Sequence, residues 1–191
     1  MTNSIMLVGV GGQGTILAGK ILTLGLMEAG FDVKMSEIHG MSQRGGSVTT
    51  HIRYSKDRVS SPVIEKGTAD ILVAFEKMEA LRYFDYLKQD GKVIVNDLEI
   101  PGTPITNGLC DYPAGILEEL KEKANTVVIN AAEEANKLGN SRVVNIILLG
   151  ALIKSMNLES INWDSIIEKN VKAAFVELNK AAIKLGMSLA E

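Results

Sequence analysis

The stretch Ile5 to Gly14, IMLVGVGGQG, is a short apolar run that breaks into four glycines and leads into TILAGKILTLGLMEAG. A run of that length followed by glycines reads as a buried β-strand turning tightly into a helix. Gly9, Gly11 and Gly14 keep the G-x-G-x-x-G spacing, with Gly12 and Gln13 between the last two. Such a turn lets a phosphate approach the backbone, and the N–H groups that open the helix favour an anion there. Taken alone the spacing fits a dinucleotide site, but it also fits any strand that must feed a helix closely.

With 191 residues, 46% of them hydrophobic and 23% charged, the chain is sized and composed for one domain spanning 1–191. A formal charge of -3 gives no reason to expect nucleic acid. The single cysteine, Cys110, cannot form an internal disulfide or ligate an iron–sulfur cluster, which suits a reducing, cytoplasmic setting. No signal peptide is expected, since no positive charge precedes the first apolar run. The run from Val143 to Ile153 is too short for a membrane span and contains Asn145.

Strand and helix patterns alternate along the chain. A helix from about Thr15 to Ala29, stopped by Gly30, is followed by a strand at Asp32 to Ser36, a βαβ unit with parallel strands. Ala69 to Phe75, a helix from Glu76 to Leu87, and Lys92 to Asn96 make a second unit, and Thr126 to Ile129 adds a strand before a helix from Ala131 to Leu138. Between the two units, Ser47 to Tyr54 alternates with period two, which predicts an antiparallel ribbon with one wet face, partnered by Val59 to Ile64 with Pro62 at an edge. Ser141 is the expected cap of a helix from Arg142 to Met156, and Asn162 of one long helix reaching Leu185, with Trp163 anchoring its first turn. The expected fold is α/β: a three-layer Rossmann-like domain with a mostly parallel sheet, an inserted antiparallel β-ribbon and C-terminal helices.

Chemistry is expected where the first two strands end. There Glu37-Ile38-His39-Gly40-Met41-Ser42-Gln43-Arg44-Gly45-Gly46 forms a loop rich in glycine and polar groups. Glu37 lies 23 positions past Gly14, near where a nicotinamide site keeps its ribose carboxylate, although pairing with Lys34 or Arg44 accounts for it equally. From Lys34 to Lys66 six basic residues face three acidic ones, a modest positive balance, and Arg44 offers a planar fork for phosphate or carboxylate. His39 and His51, the two histidines, have no neighbours at metal or nucleophile spacing; each is a candidate base only if it lines a cleft. No catalytic nucleophile and no metal site stands out.

Gly9-Val10-Gly11-Gly12-Gln13-Gly14 together with Glu37-Ile38-His39-Gly40-Met41-Ser42-Gln43-Arg44-Gly45-Gly46-Ser47-Val48 resembles the gamma-type domain of the 2-oxoacid:ferredoxin oxidoreductases. The HGMSQRGG run, Asn96, Ile100 and Pro101 are most similar to the beta subunits of the indolepyruvate branch of that family, and the likeness continues through Asn145 to Ala151 and the closing helix. The resemblance implies a subunit of an enzyme that oxidatively decarboxylates arylpyruvates with coenzyme A and ferredoxin. Thiamine diphosphate, Mg and 4Fe-4S clusters would then reside on a larger alpha subunit, because this chain has neither the diphosphate-binding segment nor the cysteines for them. Its own contribution would be a binding surface, with Gly9, Gly11, Gly12, Gln13, Gly14, Glu37, Ser42, Gln43, Arg44, Gly45 and Gly46 as the residues expected to meet cofactor or coenzyme A. Another 2-oxoacid (pyruvate, 2-oxoglutarate or a branched-chain acid) is an open alternative, as is a stand-alone nicotinamide-binding reductase. The apolar helix from Thr15 to Ala29 is expected either to contact the partner subunit or to lie between the sheet and the C-terminal helices.

Overall fold

A computed structural model describes residues 2–40 and 45–190. Its sheet has six strands: β1 (Asn3–Val10), β2 (Asp32–His39), β3 (Ser47–Ser55), β4 (Ala69–Ala74), β5 (Leu87–Asn96) and β6 (Asn125–Ile129), in the spatial order β2-β3-β1-β4-β5-β6. β1, β4, β5 and β6 are parallel neighbours, whereas β3 runs antiparallel to both β1 and β2. The sheet is mixed, as expected, but its first unit is not a simple pair of adjacent parallel strands. β3 lies between β1 and β2 and leaves β2 at the edge.

That placement also corrects the expected ribbon. Residues 59–64 form no strand; the backbone of β3 is paired on both sides by β1 and β2. The 59–64 segment instead lies along the sheet as a loop, with Val59 and Ile64 buried and Arg53 Nη1 donating to the carbonyls of Ser61 and Val63. No wet face remains, since Thr49, Thr50, His51 and Ile52 are all buried.

Pleat alternation sorts the apolar side chains into two cores, one on each face. Ile5, Leu7, Ile52, Ile71, Val73 and Ile94 face α1 (Thr15–Glu28), α5 (Ala131–Lys137), α6 (Val144–Ser155), α7 (Trp163–Asn170) and α8 (Val176–Ser188). Met6, Val8, Leu72, Ala74, Val93 and Val95 face α2 (Lys77–Arg82) and α4 (Ile116–Lys123), while the short α3 (Thr103–Thr106) stays outside either core. α3 and α4 have no counterpart in the sequence reading, and the helix expected from Glu76 to Leu87 ends at Arg82, its first turn capped by Glu76.

The C-terminal helices differ from expectation in two places. Asn140, not Ser141, caps the turn that leads into α6, accepting from the Arg142 N–H at 3.0 Å. Asn162 does cap its helix, but that helix stops at Asn170 and a new one begins at Val176. The break lets α8 lie directly on α6. A Cβ added at Gly186 would stand 1.9 Å from the Ile147 carbonyl oxygen, and one at Gly150 would stand 2.2 Å from that of Ile183. Trp163 anchors α7 as expected: its ring covers Gly25 of α1, and its Nε1 donates to the Leu158 carbonyl at 2.9 Å.

His51 is part of this framework. It is 2% exposed, its Nδ1 accepts from the Ile64 N–H at 3.0 Å, and the proton of the neutral ring therefore sits on Nε2. Burial holds its pKa below the usual histidine value. The unfolded chain thus binds this proton more readily than the folded one, so the stability it contributes is complete above the unfolded pKa of about 6.5 and is lost as pH falls below it. Urea unfolding at a series of pH values should show a loss between about pH 7 and pH 5 that is absent from His51→Gln.

Candidate functional site

β1 delivers the chain to the glycine turn at the C-terminal edge of the sheet. Gly14 adopts a left-handed conformation (φ 81) as the residue preceding α1, and a Cβ there would meet Asn145 Nδ2 at 2.6 Å. The helix starts with no side-chain cap and no acidic residue in its first turn, which leaves its N–H dipoles uncompensated.

Gln13 does not point outward. Its Oε1 accepts from the Val10 N–H at 2.7 Å and its Nε2 donates to the Phe75 carbonyl at 2.8 Å, so the side chain bridges the ends of β1 and β4. Gly9 is glycine because that amide passes over it: a Cβ would sit 2.8 Å from Gln13 Oε1 and 3.0 Å from Phe75 Cβ. Asn96, fully buried, continues the brace, donating to the same Phe75 carbonyl and accepting from the Ala131 N–H.

The two glycine segments meet. Gly11 donates to the Gly46 carbonyl at 2.8 Å and accepts from the Gly45 N–H at 3.2 Å. Ser47, the next residue, donates to the buried Glu79 carboxylate and lies 3.0 Å from the Tyr83 hydroxyl. Arg82 Nε donates to the other oxygen of Glu79 at 2.9 Å. Glu76, also buried, caps α2 and accepts from the Ile100 N–H and the Tyr112 hydroxyl. Burial, and then the Glu76 carboxylate beside it, push the Tyr112 phenol well above its ordinary pKa.

The nicotinamide arrangement is not assembled here. The Gly11 N–H, which a pyrophosphate would need, is given to Gly46, and the gap between β1 and β4 is filled by Gln13. Glu37 is exposed on β2, opposite Thr50 of β3, which places it two strands away from β1, roughly 10 Å across the sheet. Lys34 pairs with Asp32 rather than with Glu37. Ser42, Gln43 and Arg44 lie outside the described residues.

What the rim does present is a pair of recesses on either side of the α1 N-terminus. One, of about 310 Å³, is bounded by Gly11, Gly12, Gly14, Ile16, His39 and Val48. The other, of about 340 Å³, runs from Gly12, Gln13 and Gly14 past Leu98 and Ile100 to Arg142 and Asn145. No described aspartate or glutamate lines either one. A helix N-terminus, an arginine and no carboxylates together suit an anionic group. His39 joins the first recess, whereas His51 is held in the framework. Arg142 carries no signal in the sequence because nothing local links it to the glycine turn; the contact of Asn145 Nδ2 with the Gly14 carbonyl, at 3.2 Å across 131 positions, brings the two segments together.

Among the described residues no helix is long and apolar enough to cross a membrane, and no group of three or more His, Cys, Asp or Glu could hold a metal ion.

Comparison with known proteins agrees with this geometry. Residues 4–189 match the family model described as pyruvate ferredoxin/flavodoxin oxidoreductase. The chain is 35% identical over 196 residues to the indolepyruvate oxidoreductase subunit IorB of Pyrococcus horikoshii, covering 98% of this chain and 96% of that one. It is 37% identical over 195 residues to IorB of Archaeoglobus fulgidus, covering 100% and 96%. A 2-oxoglutarate synthase subunit KorC from Methanothermobacter marburgensis is 29% identical over 99% of this chain and 97% of its own. Among solved structures, the gamma subunit of a keto/oxoacid ferredoxin oxidoreductase from Geobacter sulfurreducens superposes with a TM-score of 0.72 at 25% identity, covering 98% of both chains. The mixed sheet, the interlocked glycine turns and a likeness that runs from end to end have one reading: the chain belongs to the pyruvate ferredoxin/flavodoxin oxidoreductase family.

Proposed function

We propose that the chain is the non-thiamine subunit of an indolepyruvate-type 2-oxoacid:ferredoxin oxidoreductase, working in the cytoplasm. The likeness to IorB subunits over both full lengths carries this reading, since the 2-oxoglutarate subunit falls below them in identity over the same span. A partner alpha subunit supplies thiamine diphosphate with Mg for decarboxylation and 4Fe-4S clusters that pass electrons to ferredoxin. This chain contributes two recesses that no described carboxylate lines, where an uncapped helix N-terminus and Arg142 favour the phosphates of coenzyme A.

α1 supports the subunit role. Its Ile21, Leu22 and Leu26 are buried against the sheet and C-terminal helices, while Ile16, which lines the first recess, and the adjacent Leu17 remain 54% and 39% exposed. The buried residues of this helix are core, and the exposed pair is the proposed partner contact.

The test is reconstitution. With the alpha subunit, coenzyme A and ferredoxin, indolepyruvate should be turned over, and omitting either subunit should abolish turnover. The chain alone should bind no NADH. Turnover by the isolated chain, or preference of the complex for 2-oxoglutarate, would overturn the reading.

A further inference from the structure

The hydrogen bonds around the rim close on themselves. From Gly11 the path runs to Gly46, then through Ser47 to Glu79, through the Glu79 N–H to Glu76, and from the adjacent Phe75 carbonyl to Gln13. Gln13 returns it to Val10, the residue before Gly11. The second glycine segment is bonded to Gly11 through its backbone and enters β3 at Ser47, whose hydroxyl ties it to Glu79 and Tyr83 of the α2 side. A buried carboxylate is a costly anchor compared with an apolar contact, and Glu79 is 4% exposed. Its position at the rim rather than in either core indicates that geometry is what it supplies.

We propose that Ser47 and Glu79 are positioning residues: their hydrogen bond locks the Gly45–Gly46 segment onto Gly11 and so sets the wall of the recess formed by Gly11, Gly12, His39 and Val48. Neither residue lines that recess itself. They act through Gly46 and Val48, the residues on either side of Ser47, which meet Gly11 and the Gly9 and His39 positions of the flanking strands. The proposal deepens the reading of this rim as the coenzyme A side of the complex and depends on it only for the kinetic half of its test.

Ser47→Ala removes the hydroxyl and should leave the Gly11 amide exchanging with solvent at least about tenfold faster in the full-length chain, measured by NMR. In the reconstituted complex it should raise KM for coenzyme A about tenfold while kcat changes less than about twofold, as expected when a binding wall is displaced without loss of the reacting groups. Ser47→Thr keeps the hydroxyl and suits a strand, so it should restore both values. An unchanged Gly11 exchange rate in Ser47→Ala overturns the lock. Faster exchange with an unchanged KM overturns the positioning role, and so does a loss of activity that Ser47→Thr fails to rescue. A wild-type complex without coenzyme A-dependent turnover would count against the proposed function, while the exchange measurement would still decide whether the lock exists.

Discussion

Gly186→Ala should lower the unfolding free energy by about 3 kcal/mol or more, a large share of what a domain of this size possesses. The added methyl would stand 1.9 Å from the Ile147 carbonyl oxygen and 3.0 Å from Gly150 Cα, and the obstacle is backbone rather than a side chain that can rotate away. α8 would have to lift off α6, opening the core that both share with α1. A shift of the urea midpoint measures this. Gly40→Ala is the control: no described residue lies within 4 Å of its added methyl, so it should stay within about 0.5 kcal/mol of wild type.

Gln13→Ala should cost about 2–3 kcal/mol, because the Val10 N–H loses its acceptor and the joint between the ends of β1 and β4 loses the side chain that bridges it. The Phe75 carbonyl keeps its bond from Asn96, which limits the damage. Gln13→Glu distinguishes a brace from a space filler. An ionised carboxylate can accept from Val10 but has no proton for Phe75, whereas a protonated one serves both. The protonated form is favoured in the folded state, so the folded pKa is raised and the stabilisation is present at low pH and lost as pH rises through it. Relative to Gln13→Ala, the Glu variant should therefore be more stable near about pH 5 and lose that advantage by about pH 8. Equal behaviour of the two variants across that range would show that Gln13 merely occupies volume.

Local pattern made the strands and the first helix legible, and partner choice is where it failed. The apolar run before Gly9, the stop at Gly30 and the period-two segment at Ser47 to Tyr54 all correspond to observed elements. The same period-two segment was matched to residues 59–64 because a short polar turn separates them, yet its real partners are β1 and β2, chosen by burial on both faces. Likewise, residues 162–185 contain no glycine or proline to announce a break. After the interruption at Asn170, α8 packs with Gly186 against Gly150, a long-range contact that local propensity does not encode.

The site was legible as a pair of glycine segments and illegible as a mechanism of holding them. The spacing of Gly9, Gly11 and Gly14 is that of a dinucleotide turn, but Gln13 needs Phe75, and Gly11 needs Gly46, before the difference becomes visible. Glu37 sat at the right count from Gly14; the strand threaded between β1 and β2 moved it away. Arg142 joined the rim only through the packing of α6 on α1.

The threading of β3 also dictates an order of events during synthesis. β1 and β2 have no direct contact in the sheet, so neither can zip to the other while it waits for the strand that fills the gap between them. The residues through Ser55 must be made before the first ladder can close, and those through Ala74 before β1 gains its second neighbour. Such distant pairings make for slow folding. Until they form, a nascent chain carries its glycine turn on an unpaired apolar strand, the interval in which a chaperone or the partner subunit would have most to protect.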